Sequence, residues 1–168
     1  MGESVNFITK NKKHHTEEEI KHLYKMYLNV WSKNKDLNIF ALPFSFFQEI
    51  CTHKDWEIIE IYPKDTKSNL SCGVLFIHIS DKSISPLIFG ASSKTEKDSN
   101  MYRFVLNTIL QQSFSENIDD VFLGITNSSE KRKIGAKQYK TKAYFQVSDH
   151  FNDNVIETYS KQVNLVEI

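Results

Sequence analysis

The chain has 168 residues, 40% of them hydrophobic and 25% charged, the composition of one ordinary soluble globular domain. Basic and acidic side chains balance at 21 each, so no global field draws the protein to nucleic acid or a membrane surface. No apolar run approaches the roughly 20 residues that cross a bilayer, and residues 10–19 (KNKKHHTEEE) have nothing of a signal peptide. Two cysteines, Cys51 and Cys72, make neither a disulfide framework nor a metal site. Six dispersed histidines lack zinc-ligand spacing. The expectation is a cytoplasmic protein with buried thiols and no metal.

Residues 1–15 are polar and predict a flexible N-terminus, followed by one domain over 16–168. Thr16 and Glu19 form a capping box that starts the first helix. Ile20, Leu23, Tyr24, Tyr27, Val30 and Trp31 follow at helical spacing as one apolar face. After a polar break, Pro43 starts a second helix carrying Phe44, Phe46, Phe47 and Ile50. Three strands follow. Trp56–Tyr62 (WEIIEIY) predicts a strand with one wetted face, Ser71–Ser80 a more buried one, and Pro86–Ser92 (PLIFGAS) a third. A helix is expected over 100–114, with Met101, Val105, Ile109 and Leu110 on one side.

The stretch Asp120–Ala136 (DVFLGITNSSEKRKIGA) is the most informative. Val121, Phe122, Leu123 and Ile125 read as a buried central strand over 120–125. Asn127, Ser128 and Ser129 supply capping oxygens, Glu130 sits in the first helical turn, and Gly135 is placed to end the helix. Unsatisfied N–H groups at a helix start can seat a phosphate, and Lys131, Arg132 and Lys133 add positive charge. The structural alternative is a capped surface helix carrying lysines. Lys142–Ser148 (KAYFQVS) predicts a last strand.

This order resembles the core of the GNAT acyltransferase superfamily, in which two central strands splay apart to admit acyl-CoA. The local residues are similar to its FemAB-like branch: Gly124, then Lys131, Ile134, Gly135 and Ala136 downstream. Upstream, Leu37–Asn38, Phe40–Pro43, Phe46–Phe47 and Phe89-Gly90-Ala91-Ser92 followed by Asn100 add to the likeness, which spans roughly residues 16–150. The usual pyrophosphate loop is Gln/Arg-x-x-Gly-x-Gly/Ala. Here Arg132-Lys133-Ile134-Gly135 begins like it, with Lys137 at the last small position, and Ile125-Thr126 stand where the FemAB-like pattern often has Arg-Ser. FemAB-type proteins use two such domains, so this chain can equally be one domain of a longer protein or oligomer.

The resemblance implies an α/β fold: a mixed, mostly antiparallel sheet flanked by helices, with 86–92 and 120–125 as the splayed parallel pair. It implies an N-acyltransferase that moves an acyl group from acyl-CoA to an amine acceptor. Gly90, Ala91 and Ser92 would hold the thioester. Asn127, Ser128, Ser129, Glu130, Lys131, Arg132 and Gly135 would hold the donor's phosphates. Asn100 and Tyr102 would contact the acceptor.

The chemistry needs a base and an acid. Glu60, His78 and Glu130 are candidate bases, with Glu60 most simply a solvated edge charge and His78 favoured by the near-neutral reference pKa of imidazole. Tyr139 and Tyr144 are candidate acids. The site expectation takes His78 and Tyr139 as the catalytic pair. Gly90 reads either as a close-approach glycine or as a packing glycine. The rival function is a non-catalytic GNAT-like domain that binds a ligand or sits on a partner enzyme. RNA binding through the lysines of 131–142 is a weaker third reading.

Overall fold

The computed structural model describes residues 7–33, 40–64, 70–95, 99–124 and 128–139. The expected strand at 142–148, with Tyr144, and the capping Asn127 lie outside them. The chain divides into two compact units, Met1–Gly124 and Ile125–Ile168.

In the first unit the order is β1 (Phe7–Asn11), α1 (Glu17–Lys33), α2 (Phe44–Ile50), β2 (Trp56–Pro63), β3 (Gly73–Ser80), β4 (Ser83–Ala91), α3 (Ser99–Ser115) and β5 (Asp120–Val121). The five strands lie in the sheet in sequence order. β1 to β4 are antiparallel and β5 is parallel to β4. The mixed, mostly antiparallel sheet flanked by helices is the expected one.

Residues 7–11 correct one expectation. Frayed chain is predicted there, but Phe7 is buried and packs near Phe104, ring centroids 5.7 Å apart, while the next four residues form an exposed edge.

α1 begins as its capping box dictates. The Thr16 N–H donates to Glu19 Oε2 at 2.8 Å and the Glu19 N–H to Thr16 Oγ1 at 3.3 Å. α2 follows Pro43, which serves as the N-cap rather than the first helical residue.

The side-chain period of two sorts β2 and β3 between two covered faces. On one face Met101, Val105 and Ile109 of α3 cluster with Ile59, Ile61, Leu75, Ile77 and Ile84. On the other, Leu23, Met26 and Tyr27 of α1 and Phe47 and Ile50 of α2 cluster with Ile58, Val74, Phe76 and Ile88. Phe47 meets Phe76 edge-on at 5.2 Å and Tyr27 at 4.8 Å, and is fully buried. Tyr27 Oη also accepts the Leu42 N–H at 2.9 Å, tying the residues before α2 to α1.

The expected wetted face of β2 is absent. Glu57 and Glu60 differ by an odd number of residues and so point to opposite faces, each among isoleucines. Glu60 is 6% exposed.

The β4–β5 pair also differs from expectation. β4 starts at Ser83, not Pro86, and β5 pairs with it only through Ser83–Asp120 and Ile84–Val121. Phe122 donates its N–H to the Ile84 carbonyl at 2.9 Å. The next bond of a parallel ladder would run from residue 86 to the Phe122 carbonyl, and Pro86 has no N–H to give. The register of β4 on β3 then shifts between Phe76 and Ile77, leaving Leu87 as an extra, bulged residue. The strands therefore part, and Phe122, predicted buried, is 58% exposed.

The second unit contributes α4 (Ser128–Lys133), close to the predicted helix. Gly135 ends it at φ 88°, donating its N–H to the Arg132 carbonyl at 3.0 Å.

Candidate functional site

Once β5 has left, the outer edge of β4 from Pro86 to Ala91 pairs with no strand among the described residues. Alternation decides which groups face that edge. Val74 and Gly90 are partners, and the Ser92 N–H donates to the Cys72 carbonyl at 2.9 Å, so Gly90 and Ser92 turn their amides to β3. Phe89 and Ala91 consequently turn theirs outward. Of the three expected thioester residues, only Ala91 turns its amide away from β3, and Ala91 is fully buried. Phe89, part of the family likeness in the sequence but not among the expected site residues, is the second donor.

Two devices hold this edge. Gly90 lies against α1: a Cβ there would stand 2.7 Å from the Tyr27 nitrogen and 2.9 Å from the Met26 carbonyl carbon. Of its two readings, packing is the one the contacts require, since the face that would carry a side chain is filled by helix backbone. Beyond it, Asn29 Nδ2 donates to the Ala91 carbonyl at 2.9 Å. The chain is then fastened to β3: Thr95 Oγ1 donates to the Cys72 carbonyl at 2.9 Å and lies 2.8 Å from Ser92 Oγ. A rigid strand edge with two outward N–H groups can hold and polarise a carbonyl oxygen.

The other candidates are dispersed. His78 pairs with Ser85, four residues along β3 from Val74, which puts it about 13 Å from the Gly90 row. There its ring packs edge-on against Trp56 at 5.5 Å and lines an open depression of about 360 Å³ beside the β3–β4 turn, with Asp55, Asp81, Lys82 and Asp120. Asn100 and Tyr102 open α3, whose first turn carries no acidic residue. That helix start follows β4 after a short connection.

Glu130, Lys131, Arg132, Gly135 and Tyr139 belong to the second unit. Lys131 is 8% exposed, and burial pulls its amine below the ordinary lysine range. Lys133 is ion-paired to Glu130, while Arg132 and Tyr139 are exposed. Ser129 is exposed as well.

Glu60 is not the solvated charge its sequence context suggests. It lies in the same cross-strand row as Gly90, with Val74 between, about 10 Å away. His15 Nε2 stands 3.3 Å from Glu60 Oε1 without hydrogen-bond alignment, and Tyr62 Oη donates to Glu60 Oε2 at 3.0 Å. Burial pushes the Glu60 carboxyl up, but His15, Ser71 and Tyr62 together outweigh it, so the net direction is down. Burial, then the Glu60 charge, raises the Tyr62 hydroxyl to about 12 and the Cys51 thiol to about 11. A carboxylate enclosed this way ties the start of α1 to the sheet and is not open to a substrate.

No protein-family model matches the chain, and no curated protein matches it in sequence. Solved structures match it in fold. A ribosomal-protein-alanine N-acetyltransferase from Brucella melitensis biovar Abortus 2308 superposes with a TM-score of 0.61 at 4% identity, over 84% of this chain and 99% of that one. The fold is that of the GNAT-type acetyltransferases. An aminoglycoside acetyltransferase from an uncultured soil metagenomic sample gives 0.57 at 10% identity, over 86% and 99%. An aminoglycoside N-acetyltransferase in complex with CoA gives 0.58 at 5%, over 88% and 98%. In this GNAT fold the residues missed by sequence reasoning are Pro86, Phe89 and Asn29. A proline inside an apolar strand run was the available signal for the first. Nothing local marks the other two, whose roles arise from register.

Proposed function

We propose that the protein is an N-acyltransferase that moves an acyl group from an acyl-CoA-like donor to an amine acceptor. The observation that supports this most directly is the open edge of β4, with the amides of Phe89 and Ala91 turned away from β3. In this reading the thioester carbonyl lies along that edge and accepts a hydrogen bond from the outward amide of Phe89, the half-buried member of the pair. Charge that develops on its oxygen as the amine attacks is then met by a fixed dipole. The new C–N bond forms as the C–S bond breaks, and the proton lost by the amine ends on the departing thiolate.

The reading takes residues 16–168 as one transferase domain. It assigns the donor's phosphates to the amides and cations of 127–135, with Arg132 the exposed charge, and the acceptor to the side of Asn100 and Tyr102. Tyr139 stands as the acid in it, while His78, the expected base, lies about 13 Å along β3 from the Gly90 row, too far for direct proton transfer. Membership of the FemAB-like branch rests on the run Gly124, Lys131, Ile134, Gly135 and Ala136. The cytoplasm is the compartment in which an acyl-CoA donor is available.

A second reading, a GNAT-like domain that binds a ligand or partner without catalysis, is favoured by the burial of Lys131 and the pairing of Lys133 with Glu130. Thermal unfolding with and without millimolar CoA and acetyl-CoA separates the two. A ligand that binds the native state alone at a hundredfold excess over Kd adds about 2.7 kcal/mol. A rise with either compound that shrinks in Arg132→Ala supports the transferase. An unchanged transition with both removes the CoA donor and leaves the second reading.

A further inference from the structure

We propose that the end of the sheet beside the β3–β4 turn is a docking surface for a basic peptide segment of a partner protein, one that carries an apolar side chain next to a lysine or arginine. The inference stands apart from the donor reading and draws on residues that reading leaves unused, His78 among them.

Strand register builds the surface. Trp56 is opposite His78, and His78 is opposite Ser85. On β5, Val121 is opposite Ile84, so Phe122 follows beside Ser85. Alternation puts these four on one face: Ile84 and Val121 pack in the α3 cluster, while Trp56 packs with Phe76 in the cluster of α1 and α2. Crossing four strands, the row spans about 14 Å. α2 reaches it at Trp56, where Phe46 meets the indole edge-on at 6.0 Å. α1 packs on the far end of β4, at Gly90. Phe122 is left 58% exposed, and so is Leu87, bulged from β4; neither joins an apolar cluster.

The depression of about 360 Å³ opens at the same place, with His78 in its wall. Asp55, Asp81 and Asp120 line it against one lysine, and the Lys82 ammonium is held by Asp119 at 3.2 Å. Asp55 stands 3.8 Å from His53 Nδ1. The Ser80 and Ser83 hydroxyls bond to each other at 2.6 Å. The chain as a whole is neutral, with 21 basic and 21 acidic side chains, so the negative excess is local to this end of the sheet. A cationic side chain complements it, and an acidic one is repelled.

Exposed apolar side chains scattered singly need no explanation. Here an aromatic one stands two residues from Asp120 and in the row of His78, the arrangement of a protein interface with an aromatic anchor and charge around it. A free small amine would use the carboxylates and leave Phe122 and Leu87 wet. A peptide uses both, and at about 3.3 Å per residue an extended segment of about four residues crosses the row.

The test is an NMR titration of the ¹⁵N-labelled full chain with the peptide acetyl-Gly-Lys-Phe-Lys-Gly-amide. Beside it run a peptide with both lysines replaced by glutamate, one with the phenylalanine replaced by glycine, and spermidine. Amide shifts are expected along His78–Ser85 and Asp120–Phe122, weaker in high salt and absent with the glutamate peptide. Phe122→Ser is expected to weaken binding about tenfold, as loss of an aromatic anchor does. The double variant Asp81→Asn, Asp120→Asn is expected to weaken it about fivefold, the scale of two exposed charge pairs. Spermidine binding as tightly as the peptide, or unchanged binding in Phe122→Ser, overturns the inference in favour of a small-amine site. Equal binding of the glutamate peptide overturns it, as do shifts that map elsewhere or none at millimolar peptide. Sedimentation of the chain alone covers the remaining occupant: self-association that Phe122→Ser abolishes gives the surface to a second copy and overturns the inference. Should Phe122→Ser not fold, the glycine peptide carries the same comparison.

Discussion

Replacing Gly90 by alanine tests the packing of α1 on β4. The new Cβ would stand 2.7 Å from the Tyr27 nitrogen and 2.9 Å from the Met26 carbonyl carbon. Favourable carbon contacts begin near 3.5 Å, so the shorter contact falls about 0.8 Å short. Both atoms are helix backbone and cannot rotate away as a side-chain tip would. α1 must retreat as a body, loosening Tyr27 against Phe47, now 4.8 Å between ring centres. Overpacking of this kind costs about 1–3 kcal/mol and sometimes more. Reduced freedom of the unfolded chain returns about 0.4–1 kcal/mol. Because the contact is with rigid backbone the cost belongs at the upper end of that range, and the expected net loss is about 2 kcal/mol, read as a lower urea midpoint at unchanged slope. Gly73→Ala is the control. Its Cβ meets the Met101 sulfur at 3.2 Å and Ile61 Cδ1 at 3.3 Å, both flexible tips, and the loss should stay below about 1 kcal/mol. A Gly90→Ala midpoint equal to that of Gly73→Ala would refute the argument that backbone contact makes the difference.

Glu60→Gln should flatten the acid side of the stability curve. A carboxyl held below its unfolded value adds stability that is complete above about pH 4.5 and is lost as the pH falls through the folded value. Wild type should therefore lose its advantage over the variant below about pH 4, as urea unfolding across pH 3–7 would register. Thr16→Ala removes half of the capping box and should cost about 1 kcal/mol, with faster amide exchange in the first turn of α1. Pro86→Val restores the missing N–H to β4. It should lengthen the β4–β5 ladder, protect the new amide from exchange, and weaken stabilisation by acetyl-CoA; an unprotected amide at 86 would show that proline does not cause the splay.

Much of the fold was legible because long periodic segments carry their own evidence. The capping box at Thr16 and Glu19, the apolar stripe of α1 and the order of elements from α1 to α4 all stand in the structure. β1 escaped because only Phe7 is buried and the other four residues look like any polar terminus. Glu60 departs from expectation because the two glutamates in WEIIEIY suggest one polar face, while their odd spacing puts them on opposite ones. The candidate site was harder. Gly90–Ser92 was located, but which of its amides is outward depends on a bulge and on the partner of Ser92, and neither leaves a trace in composition. Lys131 and Arg132, equal as letters, differ as environments: one is buried and the other exposed.

The open edge is built by subtraction. Pro86 withholds a donor from β5, and the bulge at Leu87 turns the strand after it. Gly90 withholds a side chain, so α1 can lie directly on the strand. Each would count as a defect in an isolated sheet, where unpaired edges are a liability. Here they act on the same few residues and turn two amides away from β3, that of the half-buried Phe89 and that of the fully buried Ala91, on a strand clamped by Asn29, Cys72 and the α1 backbone. Rigidity and openness at one place are hard to obtain together, because strands are stiffened by being paired. Packing the strand from its face rather than its edge meets both demands, and this is why an α1 residue, not a neighbour on the sheet, reaches the Ala91 carbonyl.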